Sequence, residues 1–199
     1  MNTNNKAQMS SAFIVLIAIL AIIFITIMWA ISAYNSLVQK DVATEKAWGN
    51  VQTAYQRRVD LIPNLVETVK GVVKFEQDTQ TQIAALRSGI TNARTPEELQ
   101  TAGANVNSYL QGLNINVEAY PDLKSNANFL ALQDELAGTE NRIKFERDNF
   151  NEAVQNYKTS VRKFPTNLIA GMYGFALDKW NMFAAQEGAE NAPQVNFTG

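Results

Sequence analysis

Residues 13 to 31 read FIVLIAILAIIFITIMWAI, nineteen consecutive positions without a charge, a proline or a glycine. At ~1.5 Å of rise per residue, such a helix covers about 30 Å, the hydrocarbon thickness of a bilayer. The run therefore predicts a transmembrane helix over residues 12–33, after a polar amino terminus at 1–11. Trp29 and Tyr34 stand where an aromatic belt would meet the headgroups. A cleaved signal peptide is the rival reading, since Ala30 and Ser32 are small, but the apolar run exceeds the usual ~7 to 15 residues of such leaders. Lys6 precedes the span while Lys40 and Lys46 follow it, a balance that tilts the carboxyl-terminal part toward the cytoplasmic side of the cell's inner membrane.

Beyond the span, apolar positions recur in steps of three and four. The seam runs Leu37, Thr44, Trp48, Val51, Tyr55, Ile62, Leu65, Val69, Ile83, Leu86 and Ile90, and after two interruptions resumes through Phe129, Ile143, Phe150, Val154, Tyr157 and Val161. No alternating strand pattern of convincing length competes with it, so the expected fold is all-α: an up-and-down antiparallel four-helix bundle over 34–164 behind the membrane helix. At ARTPEEL, Thr95 is placed to cap, Pro96 to sit at the first helical position and Glu98 to complete a capping box. An amphipathic aromatic segment is expected over 165–186, with helix from Leu168 to Phe183, and a disordered tail over 187–199.

One stretch interrupts the stripe. QRRVDLIPNLV places Arg57, Arg58, Asp60, Pro63 and Asn64 where a buried seam tolerates them poorly. A helix ending near Arg58, with Asp60 capping the next, would put Pro63 in a first turn where its missing N–H costs little. The cations would then sit at a helix carboxyl end and Asp60 at an amino end, as the macrodipole favours. A chain reversal between Arg58 and Asn64 is therefore expected. The opposing observation is that the heptad phase crosses Pro63 unbroken.

Chemistry is narrowed by what the chain lacks. With no cysteine and no histidine, thiol nucleophiles, imidazole bases, disulfides and the usual zinc ligands are excluded. A net charge of -2 without a basic cluster excludes nucleic acid as the expected partner. Counting depth from a hairpin at residue 60 sets Glu45, Glu76 and Arg142 in one polar layer. Such a layer reads first as a register-fixing ion pair or as solvated flanks. A carboxylate metal site is the sharper alternative, but bundle sites of that kind recruit histidine. Glu140, Asn141 and Arg142, adjacent on one helix, spread around its circumference and cannot converge on a substrate. No catalytic residue, metal, cofactor or small-molecule substrate is expected. In the tail, Phe175, Trp180 and Phe183 are expected at the membrane interface, or else covering the base of the bundle.

The blocks YNSLVQKDVATEKAWGNVQTAYQRRVDLIPNLVETVKG at 34–71 and LAGTENRIKFERDNFNEAVQNYKTSVRKFP at 136–165, with Gly174 and Phe175 beyond, resemble the LemA family. The resemblance implies one amino-terminal membrane helix, an up-and-down four-helix bundle and no established enzymatic chemistry, with members linked to membrane-associated structures such as the magnetosome. Its expected partners are the lipid bilayer, further copies of itself and an unidentified membrane protein. The expected role is a non-enzymatic membrane-anchored scaffold that self-assembles; the alternative is an adaptor or signalling module for another membrane complex.

Overall fold

The computed structural model describes residues 4–70, 78–113 and 126–184, and side chains from residue 11 onward. Five helices are found among them: α1 (Asn4–Val69), α2 (Thr79–Asn92), α3 (Pro96–Gly112), α4 (Ala127–Arg162) and α5 (Thr166–Tyr173), with no strand. The tail expected over 187–199 and the layer residue Glu76 lie outside the described residues. The described residues group into two compact units, one drawn from 4–43 with 155–179 and the other from 44–154 with 180–184.

The second unit is the helical bundle expected from the seam. Val51, Tyr55, Val59, Ile62, Val66, Ile83, Ile90, Leu99, Val106, Ile143, Phe150 and Val154 are all buried in one core cluster. Arg87 on α2 reaches Asp60 on α1, while Gln52 lower on α1 donates to the carbonyl of Ala93. Rising numbers on α2 thus meet falling numbers on α1, which is an antiparallel pair. Arg57 with Glu135 and Trp48 with Phe150 give the same sense to α4 against α1. The α2–α3 corner forms as its residues dictate. Thr95 accepts from the Glu98 N–H at 3.2 Å, and the Glu98 carboxylate accepts from the Thr95 and Arg94 N–H groups at 3.3 and 2.7 Å.

The reversal expected between Arg58 and Asn64 is not there. Arg57, Arg58, Asp60, Pro63 and Asn64 all lie inside α1, which continues to Val69. An interior proline costs about 3 kcal/mol through the lost hydrogen bond and ring clash. Around it, however, Val59, Ile62, Leu65, Val66 and Val69 are buried, each worth roughly 1.5–3 kcal/mol, and Pro63 itself falls on the half-buried flank of that stripe. Burial outweighs the proline penalty, and the continuous heptad phase was the deciding sequence signal.

Gly103 on α3 shows how closely α1 is approached. A Cβ at this position would be driven into the Tyr55 ring, and that ring is buried in the core. Gly103→Ala is therefore expected to lower stability by about 1–3 kcal/mol, the usual cost of overpacking. The companion variant Gly103→Ala/Tyr55→Leu should recover part of the loss. A thermal melt of the single variant matching the parent would show that the ring has room to move.

Within the first unit, every large apolar side chain from Phe13 to Ile31 is exposed, as expected of a helix whose surroundings are lipid. After the span, α1 contributes buried Ala33 and Leu37, α4 contributes Tyr157 and Val161, and α5 contributes Ile169 and Ala170. The Tyr157 hydroxyl donates to the Ala176 carbonyl at 3.1 Å, and Lys179 reaches Asp41 at 2.6 Å. Burial, reinforced by the Asp41 and Asp178 carboxylates, raises the Tyr157 pKa above the usual phenol value.

The expected helix from Leu168 to Phe183 is much shorter. α5 stops at Tyr173 because Gly174 adopts a left-handed conformation (φ 77°), its N–H and that of Phe175 closing onto the Ala170 carbonyl. The chain beyond Gly174 runs through turns.

Candidate functional site

The bundle holds a cleft of about 730 Å³, lined among others by Tyr55, Arg58, Gln100, Gly103, Glu140 and Arg147. α1 and α4 bring Arg58 and Glu140 into an ion pair in which the guanidinium is largely buried and the carboxylate half-exposed. The Arg58 Nε is buried without a hydrogen-bond partner. Burial lowers the Arg58 pKa and raises that of Tyr55, although the Arg147 and Arg58 charges pull the phenol back toward ionisation. Arg147 donates to the Gln100 side chain and the Ala184 carbonyl, each at 3.2 Å, and stacks over the Phe183 ring with its guanidinium carbon 4.7 Å from the centroid. Each of these charged groups is held by another part of the fold. None is positioned as an acid–base pair facing open space.

The cleft's far wall is a strap that the sequence did not reveal. Phe183, expected at a membrane interface, is buried at 5% exposure, stacked 6.0 Å from Trp48 and edge-on at 5.6 Å to Phe150. Its backbone is gripped at both polar atoms by one amide. The Phe183 N–H donates to Asn151 Oδ1 at 2.9 Å, and Asn151 Nδ2 donates back to the Phe183 carbonyl at 3.4 Å. Trp180 packs edge-on against Phe150 on the same core. Both residues belong to the bundle, because aromatic burial together with two backbone bonds holds the strap on α4. Asn151 and Arg147 were missed because nothing local in NFNEAV marks an amide that will clamp a segment thirty residues away.

The polar layer is also rearranged. Arg142 pairs with Glu146 at 2.6 Å, one turn away on α4, while Glu45 is exposed on α1. The pair is asymmetric, with Glu146 at 3% and Arg142 at 64% side-chain exposure, so the guanidinium reaches from solvent to neutralise a buried carboxylate. The expected alignment counted depth from a reversal that does not exist, so the level it gave Glu45 does not hold, and Glu76 lies outside the described residues. Glu146, three residues after Ile143 and four before Phe150, shares their face of the helix, and that spacing was the available signal.

In the first unit, Tyr34 and Phe175 do come together. The Tyr34 ring stands 4.9 Å from Tyr173 and 5.9 Å, edge-on, from Phe175. Trp29 is exposed on the span, five residues before this cluster.

Comparison with known proteins bears on most of the chain. The LemA family profile matches residues 47–197. Protein LemA of Metamycoplasma hominis is 26% identical over 140 residues, covering 68% of this chain and 63% of the relative. Magnetosome proteins MamQ 2 and MamQ 1 of Paramagnetospirillum magneticum are each 24% identical over 168 residues, covering 71% of this chain and 62% of theirs. The chain thus spans somewhat under two thirds of the length of these curated relatives. The family match takes in the cleft, the Asn151 clamp and the aromatic strap together, and the chain belongs to the LemA family.

Proposed function

We propose that this protein is a non-enzymatic, membrane-anchored scaffold whose helical bundle assembles with further copies of itself. The observation that carries the proposal is the fate of the charged side chains around the bundle's cleft and grooves. Arg58 is paired with Glu140, Arg57 with Glu135, Arg87 with Asp60 and Arg142 with Glu146. The first three pairs join different helices and hold them in register, and the fourth neutralises a carboxylate buried on α4; a general acid or base needs instead to meet a substrate proton. Anchoring follows from α1, which contains both the apolar run and the bundle's first helix without a loop between them. Self-association is supported by Leu130 and Phe145 on α4, left 44% and 53% exposed outside the apolar run. The magnetosome name carried by two relatives fits a role in building a structure.

The test is the mass of the full chain in nanodiscs or mild detergent, by light scattering coupled to size exclusion. A homogeneous particle of several copies, reduced to monomer by Phe145→Glu, is the expected result. A monomer that acquires a different membrane protein on pull-down would replace this reading with an adaptor. Lys40 and Lys46 after the span favour a cytoplasmic bundle at the inner membrane. A single cysteine at Ser88, labelled by an impermeant maleimide only after lysis, is the expected outcome on that side, and labelling in intact cells overturns it.

A further inference from the structure

Among the described residues outside the apolar run, the barest large apolar side chains are gathered on one short stretch. Phe164 is 74% exposed, Leu168 59% and Met172 74%. Phe164 and Met172 exceed every side chain of the run itself, where Phe24 and Ile25, at 65%, are the most exposed, and Leu168 falls within its range. Leu168 and Met172 stand one turn apart on α5, whose inner side buries Ile169 and Ala170. Tyr173 and Phe175 close the carboxyl end of the stretch against Tyr34. Tyr34 lies three residues beyond Ile31, the last member of the run, which is about 4.5 Å of helix rise. A bilayer's headgroup zone occupies roughly 5–8 Å on each side of the hydrocarbon, so the contact that fastens α5 to α1 falls within that zone.

We propose that Phe164 and the outward side of α5 lie in the boundary between headgroups and acyl chains of the bilayer that α1 crosses, giving the first unit a second grip on the membrane, with anionic lipid as the favoured partner. This inference rests on α1 spanning the membrane. Apolar side chains as bare as those of the span itself need the same solvent, and the Tyr34 contact sets them at its edge. An interfacial helix buries its apolar side about 5–10 Å deep, within reach of Phe164, Leu168 and Met172. Arg162 and Lys163, exposed immediately before Phe164, supply the charge that selects acidic headgroups.

The chain contains no cysteine, so single reporters can be introduced at Leu168, Met172 and, as a reference in the span, Ile23. Each is labelled with an environment-sensitive fluorophore in the full chain, reconstituted in phosphatidylcholine vesicles with or without phosphatidylglycerol. Nitroxides on the upper acyl chain serve as the lipid quencher and iodide as the aqueous one. The expected result is blue-shifted emission at all three positions, quenched by the nitroxide lipid and protected from iodide. At Leu168 and Met172, but not at Ile23, quenching should weaken when phosphatidylglycerol is omitted or when Arg162→Gln/Lys163→Gln is introduced; equal quenching overturns the preference for anionic lipid. Iodide access at Leu168 and Met172 with Ile23 still quenched by lipid overturns the second grip and leaves the span intact. Protection from both quenchers means that protein, such as a second copy, covers the face, and overturns it equally. An Ile23 reporter that the lipid fails to quench removes the span and the inference with it.

Discussion

Replacing Phe183 with alanine is expected to lower the melting temperature of the full chain more than any other change in its carboxyl-terminal region. The side chain is 5% exposed and fills the space between Trp48, Phe150 and the Arg147 guanidinium. Truncating a buried phenylalanine costs about 3–5 kcal/mol in transfer and cavity energy, and each kcal/mol moves the midpoint by roughly 2–4 °C in a chain of this size. Two aromatic contacts and one cation–π contact are lost with it. Leu177→Ala, at a side chain 43% exposed, is the control and should melt close to the parent. The comparison separates two roles for the tail aromatics. If Phe183 served as a lipid contact, its removal would weaken vesicle binding and leave the melt almost unchanged. Far-ultraviolet dichroism in one detergent, followed with temperature for all three proteins, gives the answer.

The second large effect has the opposite sign. Pro63 sits inside α1, where it can supply no N–H to the carbonyl one turn earlier, that of Val59, and its ring presses on that carbonyl. Pro63→Ala restores the donor and removes the clash, so the bundle should gain stability, up to about 3 kcal/mol where the neighbouring backbone relaxes fully. The position is half-buried and outside the tightest part of the core, so the smaller side chain leaves little cavity. A helix broken at this point would respond the other way, because alanine in a first turn lacks the fixed φ that makes proline favourable there. A melting point that falls in Pro63→Ala would therefore mean that the packing of α1 is built around the bend a proline imposes. If the gain is found, the proline is retained at the expense of stability, and its effect on assembly becomes the measurement of interest.

Much of the architecture could be read from the order of residues alone, because its causes are local or periodic. Residues 13–31, eighteen apolar positions and Thr26, mark a candidate membrane helix by length and composition alone. The capping box at Thr95 and Glu98 closes over three residues and needs nothing from elsewhere. Alternating steps of three and four placed Leu37, Tyr55, Ile62, Phe150, Val154 and Tyr157 on buried faces before any helix was paired with another. The same phase, followed strictly, would have carried α1 through Pro63.

What only the tertiary structure decided are the contacts whose two halves lie far apart in the chain. Proline's cost is local, about 3 kcal/mol, but the burial that overrides it depends on α2 and α4 lying over Val59, Ile62 and Val66. Phe175 and Phe183 look alike in a segment of aromatic residues, yet one meets Tyr34 beside the span while the other is clamped by Asn151 within the bundle. Arg142, expected in a layer with Glu45 and Glu76, pairs with Glu146 one turn along its own helix, and only the packed bundle shows that this carboxylate is the buried one. A periodic pattern records which side of a helix is buried, since that depends on spacing within a few turns. It cannot record which distant group arrives there, since that depends on where the chain turns back, and here the first turn comes after Val69 instead of at Pro63.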